Sequence, residues 1–410
     1  MIQFRPYQSQ IIREGSDILW KHGFLYLAME VRTGKTLTAL GICQRIGARN
    51  VLFITKKKAI SSIESDVHLL NANFNCITIN YESLHKVPKV GWDVIICDEA
   101  HSMGAFPKPS KRAKQVREMI SKNKSCRVIL MSGTPTPESR SQIYHQLYGI
   151  PGNPFSRYKN FYRFADDYVS VRQRKINGHM IADYSFGKSA IMGAINPYTI
   201  TYSQREAGFK GTIKENVLYV EMNPMIYKVA DKLKKDLVVE GEGEVILGDT
   251  PVKLMTKLHQ LYSGTVKFES GNAVVLDSSK AEFIKKHFRG KKIGIFYKFK
   301  AELRALKQVF GDTLCETLDE FNSTNKHIAL QVVSGREGIS LRKADFIVYY
   351  NIDFSATSYW QSRDRMTTKD RPDNQVYWVF SKGGIEDSVY KAVQAKKTFT
   401  SQYFKKNYLT

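Results

Sequence analysis

The sequence contains little cysteine and no long apolar run. Its five cysteines are scattered along 410 residues without a C-x-x-C pair, which excludes a disulfide framework and a zinc-knuckle spacing and favours a reducing cytosol. No window approaches the roughly 18 uninterrupted apolar residues that a membrane-spanning helix needs. Residues 1–10 also lack the apolar core of a signal peptide. We therefore expect a soluble, cytoplasmic protein.

Acidic residues are scarce relative to basic ones. Asp plus Glu number 39 against 62 Lys plus Arg, a formal net charge of +23. A surplus of this size favours a polyanionic partner such as nucleic acid. A merely soluble basic protein is the alternative. With 42% hydrophobic residues the chain is otherwise an ordinary globular one, and its length predicts two domains, or three.

Short apolar runs alternate with helical stretches in both halves of the chain. Strands are expected at 24–28, 51–55, 76–79, 94–97 and 128–131, and again at 293–297, 328–333, 346–350 and 376–380. This alternation of strands and helices predicts two α/β domains built on parallel sheets. We place their boundary near residue 218, to within about ten residues, giving domains 1–218 and 219–410. The first would carry a more helical and basic insertion at about 136–215.

Gly34, Lys35 and Thr36 form a candidate phosphate-binding loop. They follow the strand at 24–28 and open a helical run, where backbone N–H groups and the helix N-terminus can hold phosphate oxygens. Lys35 would meet the β- and γ-phosphates, and Thr36 would bind Mg²⁺. The match to the G-x-x-x-x-G-K-[ST] pattern is incomplete, because Met29 stands in place of the first glycine.

Two adjacent carboxylates, Asp98 and Glu99, follow the strand at 94–97 in the sequence Asp-Glu-Ala-His. They lie at the carboxyl edge where α/β sheets bind ligands. Asp98 would hold Mg²⁺ through water, and Glu99 would polarise the water that attacks the γ-phosphate. The alternative is that both carboxylates only cap the next helix. The loop at Lys35 upstream favours the catalytic interpretation.

These signatures resemble superfamily 2 helicases and translocases, in particular the Snf2-like group with its compact bacteriophage members. The resemblance covers almost the whole chain and rests on seven short motifs in one fixed order: 4–8, 31–36, 80–84, 98–101, 132–135, 334–341 and 361–365. It implies two RecA-like domains with ATP and Mg²⁺ in the cleft between them. It also implies hydrolysis of ATP to move along or remodel duplex or branched DNA without reading sequence, branch-migrating helicases being nearest in kind. Such a protein, a monomer or weak oligomer, would act in the host cytoplasm if phage-encoded.

The resemblance also assigns roles to single residues. ATP binding would fall to Arg5, Tyr7, Gln8, Arg32, Thr33, Gly34, Lys35, Thr36, Gly338, Gln361 and Arg365, with Gln8 reading the adenine edge. Catalysis would fall to Lys35, Glu99 and Arg365. Coupling to the DNA path would fall to Ser132, Gly133 and Thr134, and contacts to the DNA backbone to Thr55, Lys56, Ser83, Gly335 and Arg336. For Gln8 alone an ordinary surface glutamine is the alternative, and for Ser132 and Thr134 a strand-end turn.

The last motif departs from the family pattern Q-x-x-G-R-x-x-R. Gln361 and Arg365 fit, but Asp364 replaces the glycine and Thr368 replaces the second arginine, one of two that would reach the γ-phosphate. Arg363, Lys369 or Arg371 could substitute, or the site could work with one arginine finger. We expect this departure to affect the rate of ATP hydrolysis more than the presence of ATPase activity.

The insertion holds a candidate hairpin at 171–181, where an Asn177-Gly178 turn is flanked by alternating apolar and basic residues. Its Arg172, Arg174 and Lys175 could pin or split a DNA junction. The alternative is a solvated insertion.

Two other segments are given no catalytic role. A second G-K-S sequence at 187–189 lacks a preceding apolar strand and is interpreted as a basic loop. The acidic, glycine-rich run 240–244 is interpreted as an exposed turn.

Two rival functions stay open. The first is an RNA-dependent ATPase, because the same core fold serves both nucleic acids. The second is a catalytically weak nucleic-acid clamp, which the imperfect last motif allows. Lys35, Asp98 and Glu99 argue against the clamp, and the Snf2-like motifs argue for DNA.

Overall fold

The computed structural model describes residues 3–176, 179–209, 211–241, 243–332, 340–366 and 373–394. The chain forms two compact units, Met1–Phe209 and Lys210–Thr410. No helix in the described ranges is long and apolar enough to cross a membrane.

The N-terminal unit is a parallel sheet flanked by helices. Its strands are β1 (Phe24–Met29), β2 (Asn50–Thr55), β3 (Asn75–Asn80), β4 (Val94–Cys97), β5 (Arg127–Met131), β6 (Arg172–Ile176), β7 (His179–Asp183) and β8 (Thr199–Tyr202). Its helices are α1 (Pro6–His22), α2 (Lys35–Arg45), α3 (Ile60–Leu70), α4 (Lys111–Lys122), α5 (Ile143–Leu147), α6 (Phe161–Tyr168) and α7 (Ala190–Ile195). Six of the strands form one parallel sheet in the order β3-β2-β4-β5-β1-β8.

Both faces of this sheet are buried, which explains why its strands read as near-continuous apolar runs. Side chains of one strand alternate between two cores. In β4, for example, Ile95 and Cys97 pack into one core, and Val94 and Ile96 pack into the other. The parallel arrangement then brings the carboxyl ends of β1, β2, β4 and β5 to one edge of the sheet, where the candidate site lies.

The C-terminal unit repeats this plan. Its strands are β9 (Thr212–Val220), β10 (Val238–Gly241), β11 (Glu244–Leu247), β12 (Thr265–Lys267), β13 (Ala273–Val275), β14 (Ile293–Tyr297), β15 (Leu314–Cys315), β16 (His327–Gln331), β17 (Phe346–Tyr349) and β18 (Asp373–Ser381). Its helices are α8 (Pro224–Asp236), α9 (Pro251–Leu261), α10 (Ser279–His287), α11 (Lys300–Phe310), α12 (Leu318–Ser323), α13 (Ala356–Arg363) and α14 (Glu386–Gln394). The parallel sheet has the order β15-β16-β14-β17-β18-β9.

Two six-stranded parallel sheets confirm the predicted α/β fold and are consistent with two RecA-like domains. The division of the chain lies within the predicted margin of about ten residues around residue 218. It falls between Phe209 and Lys210, because β9 pairs along its whole length with β18, from Thr212 opposite Asp373 to Val220 opposite Ser381. Residues 212–218 therefore belong to the C-terminal unit.

The predicted hairpin is present as the antiparallel pair of β6 and β7. Its proposed turn, Asn177-Gly178, lies outside the described residues. The acidic run at 240–244 joins β10 to β11, a second antiparallel pair. The second G-K-S sequence begins at Gly187, which forms an isolated antiparallel bridge with Val169. Unlike the loop at Lys35, this sequence does not come next after a strand of the parallel sheet.

Candidate functional site

A tight loop connects β1 to α2. Gly34, the residue before α2, has φ 79° and ψ 33°, a left-handed conformation that favours glycine. A Cβ atom on Gly34 would lie 2.5 Å from the Gln8 Nε2 atom. Lys35 is the first residue of α2, so the free backbone N–H groups of the first helical turn follow the loop directly. This is the geometry of an anion site at a helix N-terminus.

The residues expected to contact adenine form hydrogen bonds that support this loop. Gln8 is buried, with 5% of its surface exposed, and its Nε2 atom lies 3.4 Å from the Gly34 carbonyl oxygen. The Tyr7 hydroxyl donates to the Thr33 carbonyl at 3.0 Å, and the Arg5 guanidinium donates to the Tyr7 hydroxyl at 3.0 Å. Gln8 is therefore not an ordinary surface residue. Its contact with adenine stays a prediction.

The segment after β8 also forms hydrogen bonds to the loop, and the sequence did not indicate these contacts. The Gln204 backbone N–H donates to the Glu30 carboxylate at 2.8 Å, and the Gln204 side-chain amide donates to the Val31 carbonyl at 3.0 Å. The Tyr202 ring stacks on Tyr7 with centroids 4.5 Å apart. The partners lie more than 170 residues apart, so no local pattern could have revealed them.

Asp98 lies at the carboxyl end of β4, as expected, and accepts hydrogen bonds from two hydroxyl groups. The Thr55 hydroxyl donates to Asp98 Oδ2 at 2.8 Å, and the Tyr81 hydroxyl donates to the Asp98 carbonyl at 2.6 Å. Burial, and then the charge of Glu99, raise the pKa of the Asp98 carboxyl to about 6, while Lys35 and the Thr55 hydroxyl lower it. Lys35 and Asp98 thus interact as opposite charges.

Thr55 requires a correction. It was expected to contact the DNA backbone, but its side chain is fully buried and its hydroxyl is bound to Asp98. It ends β2 beside Asp98 and acts as a support for the carboxylate. Lys56, the next residue, and Ser83, in the 3₁₀ helix Tyr81–Lys86, are both half-buried.

Glu99 belongs to a chain of polar contacts that joins two of the sequence motifs. Its backbone is left-handed, with φ 50° and ψ 46°, and its side chain makes no capping hydrogen bond to the 3₁₀ helix Ala100–Met103. The helix-cap alternative therefore fails for Glu99. Its Oε2 atom lies 3.2 Å from His101 Nδ1, which lies 2.9 Å from the Ser132 hydroxyl, and that hydroxyl accepts the Thr134 backbone N–H at 3.1 Å.

Gly133 brings the motif at 132–135 against the loop. A Cβ atom on Gly133 would lie 3.5 Å from the Lys35 ammonium nitrogen, from the Met29 carbonyl oxygen and from the Val31 backbone nitrogen. The Thr134 hydroxyl is buried and has no hydrogen-bond partner among the described residues. Lys35, Asp98, Glu99 and residues 132–134 therefore meet at one edge of the first sheet, within one unit.

The sites predicted in the C-terminal unit are only partly described. Gly335, Arg336 and Gly338 lie outside the described residues, as do Thr368, Lys369 and Arg371. Gln361 lies within α13. Arg365 lies in the short 3₁₀ helix Asp364–Met366 and is half-buried, and its carbonyl accepts the Leu341 backbone N–H at 2.9 Å.

Arg363 has a structural role, which argues against its use as a second finger. Its guanidinium donates to Glu215 Oε1 at 2.7 Å. The same carboxylate accepts hydrogen bonds from three further donors on the C-terminal unit: the Tyr359 hydroxyl at 2.6 Å, Trp378 Nε1 at 2.9 Å and the Tyr390 hydroxyl at 2.8 Å. Arg363 therefore ties the end of α13 to β9.

The site at the first sheet has the chemistry of a nucleoside triphosphate site with Mg²⁺. The loop offers backbone N–H groups and the Lys35 ammonium to phosphate oxygens. The Asp98 carboxylate and the Thr36 hydroxyl are oxygen ligands of the kind that Mg²⁺ prefers. A cation there would also offset the burial that raises the pKa of Asp98. The residues present therefore fit this metal.

The chain is similar to a known family, to a protein of known sequence and to a solved structure. Residues 30–185 match the family described as SNF2-related domain. The chain is 22% identical to the ISWI chromatin-remodeling complex ATPase ISW1 of Saccharomyces cerevisiae, over 80% of this chain and 31% of that protein. The chain thus corresponds to about a third of the length of this curated relative. A solved Sulfolobus solfataricus SWI2/SNF2 ATPase core domain aligns with a TM-score of 0.42 and 16% identity, covering 97% of this chain and 89% of that one.

Proposed function

We propose that this chain is an ATP-dependent DNA translocase of the Snf2-like type, which hydrolyses ATP to move on or remodel duplex or branched DNA. The observation that carries the proposal is the convergence of the Lys35 loop, the Asp98 and Glu99 carboxylates and residues 132–134 at one sheet edge. The match of residues 30–185 to the SNF2-related domain supports the same function.

Each residue of the site has a distinct task in this proposal. The loop and the Lys35 ammonium hold the β- and γ-phosphates, and Glu99 orients the attacking water and accepts its proton. Mg²⁺, when bound near Asp98 and Thr36, neutralises phosphate charge. The contact of Glu99 with His101, and of His101 with Ser132, gives the coupling segment a direct connection to the residue that handles the water.

An ATPase assay tests the proposal. Turnover is measured without nucleic acid and with single-stranded DNA, duplex DNA, branched DNA or RNA. Duplex or branched DNA should stimulate hydrolysis most, because a backbone-tracking motor couples hydrolysis to the polymer it binds. Stronger stimulation by RNA would favour the RNA-dependent ATPase, and binding without any hydrolysis would favour the clamp.

DNA affinity should depend steeply on salt. With a net charge of +23, binding should release counterions from the phosphates, so log Kd should rise linearly with log salt by about 0.9 for each phosphate neutralised. Titration of labelled duplexes of unrelated sequence between 50 and 200 mM salt should show a loss of about 10³-fold or more for six or more contacts. A flat salt response, or a consensus sequence selected from random duplexes, would contradict backbone tracking.

Gly34→Ala should weaken ATP binding. The new Cβ atom would require a left-handed alanine, at about 1–2 kcal/mol, and would displace the Gln8 amide from the loop. Gly47→Ala is the matched control, because Gly47 has φ +68° but nothing within 4 Å of the position that the new methyl carbon would take. Isothermal titration should show weaker ATP binding for Gly34→Ala only. Equal ATP affinities of the two variants would mean that Gln8 does not support the loop.

A further inference from the structure

The β6–β7 hairpin carries one largely exposed apolar side chain on each face. Met180 is 62% exposed and Ile181 is 47% exposed, both on β7. In the strand register Met180 is opposite Lys175, and Ile181 is opposite Arg174. Directly opposed side chains share a face of a two-stranded ribbon. Each exposed apolar side chain is therefore paired with a cation on the same face.

Two basic side chains of the hairpin, Arg172 and Arg174, make ordered contacts. The Arg172 guanidinium carbon lies 3.7 Å from the centroid of the Phe186 ring, and the Arg174 guanidinium carbon lies 5.8 Å from the same centroid. Arg174 also pairs with Asp183 at 2.6 Å. This ordering reduces the entropy that would be lost when the cations meet phosphates.

The base of the hairpin is fixed to the segment that follows the motif at 132–135. The Ser139 hydroxyl donates to the Ser185 carbonyl at 2.7 Å, and the Ser141 hydroxyl donates to the Tyr184 carbonyl at 2.7 Å. Further along the chain, the Gln146 amide donates to the Pro135 carbonyl at 2.8 Å. The hairpin is thus a two-stranded ribbon with a rigid base, tied to the segment that begins at the candidate nucleotide site.

We propose that this hairpin engages the branch point of DNA, with Met180 and Ile181 packing against unpaired or unstacked bases while the flanking cations hold the phosphates. The proposal rests on the proposed function and specifies its substrate as a junction between duplex and single strands. Proteins that open or kink a duplex insert apolar side chains, methionine and isoleucine among them, between base steps. The charge of the ribbon favours a nucleic acid over a protein surface, because its one described acid, Asp183, is already paired with Arg174.

The double variant Met180→Ser/Ile181→Ser tests this proposal. Both side chains are largely exposed, so the fold should persist, and unchanged thermal melting verifies it. Leu69→Ser is the matched control, since Leu69 is 54% exposed on α3 of the same unit. Affinity is measured for a forked DNA with 2-aminopurine at the junction and for a linear duplex of equal length, together with ATPase activity on the linear duplex.

The double variant should lose about tenfold of its affinity for the fork, because burial of two apolar side chains against bases is worth at least about this much, and the junction fluorescence change should disappear. Affinity for the linear duplex and its stimulation of ATPase should stay within twofold of wild type, and Leu69→Ser should match wild type throughout. An unchanged fork affinity, or an equal loss on fork and linear duplex, overturns the role of the hairpin. Absence of duplex-stimulated ATPase in the wild type would instead overturn the proposed function itself.

Discussion

Glu99→Gln should leave ATP binding intact and slow hydrolysis by about 10²–10⁴-fold. Glutamine keeps the shape of the side chain but cannot accept the proton of the attacking water, so only the chemical step should suffer. Binding of a fluorescent ATP analogue and single-turnover hydrolysis separate the two effects. Glu118→Gln, on the exposed face of α4, is the matched control and should behave as wild type. Hydrolysis by Glu99→Gln at the wild-type rate would show that Glu99 is not the general base.

Lys35→Ala should abolish hydrolysis by a different route. The Lys35 ammonium lies beside Gly133 and lowers the pKa of Asp98, so its loss would remove the proposed phosphate contact and raise the pKa of that carboxyl. ATP binding and hydrolysis should therefore fail together, unlike in Glu99→Gln. The pair of variants distinguishes a site that binds and hydrolyses ATP from one that only resembles a phosphate loop.

The strands of the two sheets were predictable where they are buried on both faces. Runs such as 51–54 and 128–131 are apolar without interruption, because a central strand of a covered parallel sheet meets protein on both sides. The edge strand β9 has the sequence Thr-Ile-Lys-Glu-Asn-Val-Leu-Tyr-Val, which mixes polar and apolar residues. An edge strand needs less burial, so its sequence carries a weaker signal, and β9 was not among the predicted strands.

The site was predictable where one motif suffices and not where distant segments meet. Lys35, Asp98 and Glu99 were found because each sits in a short pattern after a buried strand. The role of Thr55 was missed, since a threonine at the end of a strand is equally compatible with solvent and with a buried carboxylate. The bond between Arg363 and Glu215 joins residues 148 positions apart, so no window of sequence contains both.

The hydrogen bond between Arg363 and Glu215 allows a test of which arginine acts as the finger. Arg363→Ala removes one of the donors to the Glu215 carboxylate, which is only 12% exposed, and should lower the free energy of unfolding by about 1–3 kcal/mol. It should leave the turnover of folded protein close to wild type. Thermal or urea unfolding, read beside the ATPase rate per folded molecule, separates these two outcomes.

Arg365→Ala should show the opposite behaviour. The resemblance assigns its guanidinium to the γ-phosphate, where one arginine is worth about 10³–10⁵ in rate. We therefore expect the turnover of folded protein to collapse while DNA affinity stays near wild type. Arg365→Lys should also be slow, because a point charge replaces a planar fork that contacts two phosphate oxygens. If Arg365→Ala keeps DNA-stimulated hydrolysis while folded Arg363→Ala loses it, the finger lies two residues earlier and the Glu215 contact must break during turnover.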